Sequence, residues 1–258
     1  MNDHAALYRG IDPELVIPDL LAIHEAAIRN HPRTLQTRIG PSSLGSECDR
    51  CLIRELAGLD REDPEDAPWL PTLGHAAHDW LEGNVIRWLM DTRSDRYLPE
   101  GKVAVGTVGG IEITGHTDVL DIHAGCVVDY KLVGTTTLRK VRKAGAGVTY
   151  SNQAHLYGKG WEDGGYIVKS VAIWFLPRNG FRMSDGWVHQ VPYDRGAAER
   201  ALARADMFAR AIQMFGVEAV LAKAPPHTGT EFSCPDPKAE EKAQRQLEGL
   251  IVPVPKSA

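Results

Sequence analysis

The sequence predicts an α/β fold from three observations. Three extended runs, "GKVAVGTV", "IEITGHTDVLDI" and "CVVDYKLV", follow one another with only "GG" and "HAG" between them, the pattern of consecutive antiparallel strands. Segments of helical period lie on both sides of these runs. With 258 residues, 43% hydrophobic and 24% charged, the chain can bury one sizeable core with decorations, or two small domains.

Taken in order, "DPELVIPDLLAIHEAAIRNH" has helical spacing after Asp12 and Pro13, a cap followed by a first-turn proline, and Pro32 stops it. "PSSLGSECDRCLIRELAG" reads as a second short helix with Ser42 or Ser43 as cap and Gly58 as stop. The acidic, proline-bearing "LDREDPEDAPWLP" reads as a loop. A helix follows in which His78, Leu81, Glu82, Val85 and Leu89 take i, i+3, i+4 steps. After the three strands, "SNQAHLYGKGW" is expected to be helical, and "YIVKSVAIWFLP" and "GWVHQVPY" to be two further strands. Asp194 then caps an Ala-rich helix to about Phe215, and a proline-rich arm with a short helix closes the chain. The expected division is a helical region over 1–70, a core over 71–193, and a helix with an extended tail over 194–258.

No apolar run approaches the roughly 20 residues that span a bilayer, and the N-terminus lacks the basic start and apolar stretch of a secretory signal. The expectation is a cytoplasmic protein with no membrane partner. A net charge of -5 argues against coating nucleic acid by bulk electrostatics, but charge is unevenly placed. From Lys131 to Trp161 the chain has Lys131, Arg139, Lys140, Arg142, Lys143 and Lys159 and no acidic residue.

"CVVDYKLV" sets Asp129 and Lys131 inside an apolar strand. Asp118 precedes Asp129 by eleven residues with the "HAG" turn between them, so a hairpin can bring both carboxylates to one end of adjacent strands. Two close carboxylates repel unless a cation neutralises them. Oxygen ligands suit Mg²⁺ or Mn²⁺, and a histidine such as His78 shifts the preference towards Mn²⁺. Lys131 shares a face with Asp129 because strand side chains alternate. An ammonium there can position a water and offset charge that develops on a phosphate. Taken alone, Asp-x-Lys reads as a solvated strand-end ion pair. Similarly, "LRKVRKAGAG" reads either as a phosphate-gripping loop or as a solvated one. Tyr150, Tyr157 and Trp161 read either as base-stacking residues or as core.

In order, "GHTDVL", "VVDYK" and "QAHLY" resemble the motifs of the PD-(D/E)XK nuclease superfamily, in its RecB-like exonuclease branch, and "GHAAHDWLE" resembles that branch's upstream helix with Gly74, His78 and Glu82. The likeness covers roughly residues 42 to 176, since "SSLGSECDRCLIREL" resembles the entry of CRISPR-associated RecB-like nucleases. The resemblance implies a restriction-endonuclease-like core, with a mixed central sheet flanked by helices. It implies that His78, Asp118, Asp129 and the main-chain carbonyl of Tyr130 bind the metal, with Lys131 at the reacting water. Gln153 and Tyr157 would steady the site and the DNA, which Arg139, Lys140, Arg142 and Lys143 would contact through its phosphates. Among His75, His116, His123 and His155, His75 is the fallback ligand.

Four cysteines do not make a disulfide framework, and Cys48-x-x-Cys51 in a reducing compartment suggests metal or redox chemistry. CRISPR-associated relatives hold an iron–sulfur cluster with one N-terminal cysteine and three near the C-terminus. Here only Cys234 lies in that C-terminal region. Two other readings stay open: a Zn²⁺ site from Cys48, Cys51, Cys234 and His227 that clasps the tail to the N-terminal helix, or small residues packed at a helix start with Cys126 buried beside Val127.

The expected function is a metal-dependent DNA exonuclease of recombination or repair type. A restriction-like or junction-resolving endonuclease shares the same chemistry. A nucleic-acid-binding adaptor without turnover is the alternative from another class, although such proteins usually lose an acidic ligand or the lysine. No G-x-x-x-x-G-K-[ST] phosphate loop is present, so processive digestion would need a helicase or recombinase partner, or a homo-oligomer.

Overall fold

The computed structural model describes residues 16–31, 39–59, 69–93, 95–229 and 234–235. The expected cap at Asp12 and Pro13, the stop at Pro32, most of the acidic loop and the far end of the C-terminal arm lie outside these residues. The first helix, α1, spans Val16–Arg29. The stretch read as a second single helix forms two: α2 over Pro41–Leu44 and α3 over Asp49–Leu56. The cap of α3 is neither Ser42 nor Ser43 but Cys48, whose sulfur accepts from the Cys51 N–H at 3.5 Å. Ser46 Oγ in turn accepts from the Cys48 N–H at 3.2 Å.

The next helix, α4, spans Trp69–Trp80 and takes in residues expected in the loop, since Pro71 in a first turn has no intrahelical N–H bond to lose. It runs through a π-helical turn at Leu81–Ile86 into α5, Arg87–Arg93. Three strands follow: β1 (Tyr97–Val108), β2 (Ile111–Asp121) and β3 (Cys126–Val133). Gly109 and Gly110, at φ 58 and 85, make the two-residue turn between β1 and β2, which requires positive φ at both positions. After β3 come α6 (Thr135–Ala144), α7 (Val148–Asp163), β4 (Ser170–Pro177) and β5 (Trp187–Pro192). The long α8 (Arg195–Phe215) and the short α9 (Val217–Leu221) complete the described elements.

The five strands form one sheet in the order β1-β2-β3-β4-β5. All neighbours are antiparallel except β3 and β4, which are parallel and joined through α6 and α7. This is the expected α/β arrangement of a mixed sheet flanked by helices. The larger core packs Val105, Leu120, Val127, Ile173 and Phe175 of the sheet against Leu138, Leu156, Trp161, Ala201 and Leu202 of the helices. The smaller one sets Val119, Tyr130 and Leu176 under Leu81, with Val85 packed beside them. The stripe foreseen on this helix therefore packs through Leu81 and Val85, while Glu82 is exposed. No helix among the described residues is long and apolar enough to cross a membrane.

Trp161 joins α7 to the sheet. Its Nε1 donates to Thr117 Oγ1 at 3.0 Å in the buried interior. A Cβ on Gly101 would lie 2.1 Å from the Trp161 ring, so β1 passes the indole only because position 101 has no side chain. Gly101→Ala is expected to lower unfolding free energy by about 1–3 kcal/mol in urea titration, the usual cost of overpacking. An unchanged midpoint would show that the ring has room to move.

Candidate active site

The site lies where the sheet forks. The β2–β3 register pairs Asp121 with Cys126, Leu120 with Val127 and Val119 with Val128, and then stops. The next pair in that register would be Asp118 opposite Asp129. Beyond it β2 stays on β1, with Thr117 opposite Gly101, while β3 stays on β4, with Asp129 opposite Ile173 and Lys131 opposite Phe175. Both carboxylates are therefore held by strands paired on their outer sides, at the mouth of a gap between the inner ones.

Asp118 and Asp129 are both buried. One Asp118 oxygen accepts from the Tyr130 main-chain N–H across the fork, and the other lies 3.1 Å from His78 Nδ1. Asp129 Oδ2 is 2.8 Å from Lys131 Nζ. Burial, above all, and then the neighbouring Asp118 charge push the Asp129 carboxyl up, against the pull of Lys131. Lys131 is pulled down by burial but raised further by the Asp129 charge and hydrogen bond, so it stands as an ammonium. In that state it can orient a water or offset negative charge, but it cannot accept a proton. The hydrogen bond to Asp118 raises His78 against the effect of burial.

Two elements bring the remaining groups. His78 comes from the last turn of α4, immediately before the π-helical turn, a feature frequent at functional sites. From α7, Gln153 Nε2 donates to the Tyr157 hydroxyl at 3.3 Å, and both side chains are buried. Burial and then the Asp129 charge push the Tyr157 phenol up to about 12, which keeps it a neutral hydroxyl. The Tyr157 ring and Pro41 crowd Gly115, where a Cβ would meet them at 2.7–2.9 Å. The glycine that opens "GHTD" thus lets α7 approach β2, a requirement invisible in the sequence because Pro41 lies far away in the chain.

The structure corrects one expectation and decides between readings that the sequence leaves open. The basic stretch "LRKVRKAGAG" is not a loop: most of it belongs to α6, whose Leu138 and Val141 are buried, leaving Arg139, Lys140 and Lys143 on its exposed side. Arg142 donates to the main-chain carbonyls of Asp185 and Gly186, so it braces the turn before β5. Tyr157 and Trp161 are core side chains rather than base-stacking ones, and Tyr150 packs edge-on to Phe175 with its ring 5.7 Å from Lys131 Nζ. Of the histidines weighed, His78 is bonded to Asp118, and His155 accepts from the Asp194 N–H.

Neither a protein-family profile nor a curated protein sequence matches this chain. Among solved structures it is similar to SSO0001, with 15% identity and TM-score 0.45 over 84% of this chain and 98% of the other. It is also similar to an alkaline exonuclease from Laribacter hongkongensis, with 12% identity and TM-score 0.43 over 87% and 99%. A phage-related exonuclease from Haemophilus somnus gives 14% identity and TM-score 0.43 over 69% and 95%.

The mutual dependence of Asp129 and Lys131 is open to measurement. Lys131→Met leaves Asp129 facing Asp118 without its ion pair and is expected to cost about 1–3 kcal/mol. Adding Asp129→Asn should recover part of that loss, with a coupling of at least about 1 kcal/mol in a double-mutant cycle. Strictly additive effects would mean that the pair is solvated and inconsequential.

Proposed function

We propose that the chain is a metal-dependent deoxyribonuclease of the PD-(D/E)XK kind, an exonuclease of the RecB-like branch acting in DNA recombination or repair. The observation that carries this reading is the buried pair Asp118 and Asp129 across the fork, with Lys131 and His78 against it. Burying two like charges side by side is costly for a fold with no use for them. That cost argues against a binding adaptor without turnover.

The donor set suits a divalent cation by its chemistry: two carboxylates and an imidazole, with His78 Nδ1 3.1 Å from Asp118 and Lys131 Nζ 2.8 Å from Asp129. Asp118, Asp129 and His78, with the Tyr130 carbonyl, would hold Mg²⁺ or Mn²⁺. When bound, such an ion supplies Lewis-acid polarisation of the phosphate and a lowered pKa for a water. The chain's own residues do the rest. Lys131, whose Nζ lies 2.8 Å from Asp129 at the fork, would orient the attacking water and balance charge on the phosphate. The water oxygen bonds to phosphorus and gives up a proton to solvent, the P–O ester bond breaks, and the leaving oxygen takes up a proton from solvent, so that no net proton is gained or lost. Tyr157, packed on Gly115, and Gln153, which donates to its hydroxyl, would steady the site. Arg139, Lys140 and Lys143, exposed on α6 directly after β3, would grip phosphates along the strand.

An endonuclease would use the same constellation, and substrate topology separates the two. End-labelled linear DNA and covalently closed circular DNA are incubated with Mg²⁺, Mn²⁺ or chelator. Metal-dependent loss of linear DNA only is expected, with the rate falling at least about a hundredfold in Lys131→Ala and in Asp118→Ala. Cleavage of the circle would make it an endonuclease. Turnover that survives both substitutions would refute this site.

A further inference from the structure

Away from the fork, three cysteines and a histidine from opposite ends of the chain converge. Cys48 and Cys51 stand at the start of α3, and His227 and Cys234 lie on the segment after α9. Their ligand atoms all lie within 4.8 Å of one another. His227 Nδ1 is 3.5 Å from the Cys48 sulfur, 3.4 Å from that of Cys51 and 3.5 Å from that of Cys234. Among the described residues none of the four cysteines forms a disulfide.

Hydrogen bonding cannot account for this arrangement. A neutral imidazole Nδ1 carries either one proton or one lone pair, so it serves one partner well, not three at equal distance. A single tetrahedral ion does account for it. With Zn–S of about 2.3 Å and Zn–N of about 2.0–2.1 Å, the S···N edge of a tetrahedron is about 3.5 Å, which is the spacing found three times over. Main-chain donors also suit thiolates: the Cys51 N–H points to the Cys48 sulfur at 3.5 Å and the Gly229 N–H to the Cys234 sulfur at 3.3 Å. Cys48, His227 and Cys234 are buried, as a closed structural site requires.

We infer that Cys48, Cys51, His227 and Cys234 form a mononuclear Zn²⁺ site that clasps the segment after α9 onto the start of α3. The separations suit one ion, whereas an iron–sulfur cluster spreads its thiolates around several atoms of iron and sulfide. The joint is reinforced by polar contacts. Arg50 Nη2 donates to the Leu221 carbonyl at 3.4 Å, and Arg204 donates to Asp49 and to the Ser46 carbonyl at 2.9 and 2.7 Å. The ion would lock α3 to α8 and α9, and α3 carries α2, whose Pro41 rests on Gly115 beside the fork. Its role is structural and does not depend on the nuclease reading.

The full chain, purified without added metal, is expected to contain about one zinc per molecule by mass spectrometry and to show no visible iron–sulfur absorption. Cys234→Ser and His227→Ala should lower zinc content at least about tenfold, while Cys126→Ser keeps it. Should the variants fail to fold, Co²⁺ exchanged into the unaltered chain gives a second readout. The expected spectrum has intense tetrahedral ligand-field bands and thiolate charge transfer at one equivalent. Stoichiometric iron with sulfide, an octahedral Co²⁺ spectrum, or zinc retained in both variants would overturn the assignment.

Discussion

Two buried carboxylates cannot sit side by side in a sheet interior without something to hold them apart and something to balance them, and the rest of this fold answers that constraint. The β2–β3 ladder ends one pair before Asp118 and Asp129 would meet, while the outer pairings of both strands continue. The open edge is closed locally by the Tyr130 N–H on Asp118, and the charge is offset by Lys131 and His78. The site is thus a place where the sheet gives up pairing energy to keep oxygen atoms facing a gap. The low local dielectric that makes this arrangement costly also strengthens whatever positive charge enters it.

The surrounding elements act on that fork at one remove. On one side α4 brings His78 and then loosens into a π-helical turn, while Leu81 anchors it over Val119 and Tyr130. On the other, α7 lies against β2 through Tyr157 on Gly115 and against β1 and β2 through Trp161 on Gly101 and Thr117. Small residues at 101 and 115 let a helix bearing bulky aromatics come close enough to place Gln153 and Tyr157. The convergence of Cys48, Cys51, His227 and Cys234 then fastens α3, and through it α2 and Pro41, to the C-terminal helices.

Much of this was legible in the sequence because it rests on local pattern. Alternating strands, a double-glycine turn and the order Asp118, Asp129, Lys131 are short-range signals, and they gave the five strands and the residues at the fork. What misled was context. Cys48 displaced the serines as helix cap because a sulfur can accept the N–H of the third residue on, and "LRKVRKA" became a helix because Leu138 and Val141 find a core to bury in. Aromatic residues at helical spacing do not declare which face is covered, and it is the remote Thr117, holding the indole, that makes Trp161 a core side chain. Contacts between remote segments, such as Pro41 on Gly115, leave no local trace at all.

The proposed chemistry requires Asp118 and Asp129 to share a divalent cation. Diffraction from crystals soaked in Mn²⁺, recorded for anomalous signal, tests it most directly. An anomalous peak between the two carboxylates, with Lys131 Nζ moved away from Asp129, is the predicted result. Density that leaves the Lys131–Asp129 pair closed, with manganese absent from the fork, would rule out a shared cation there.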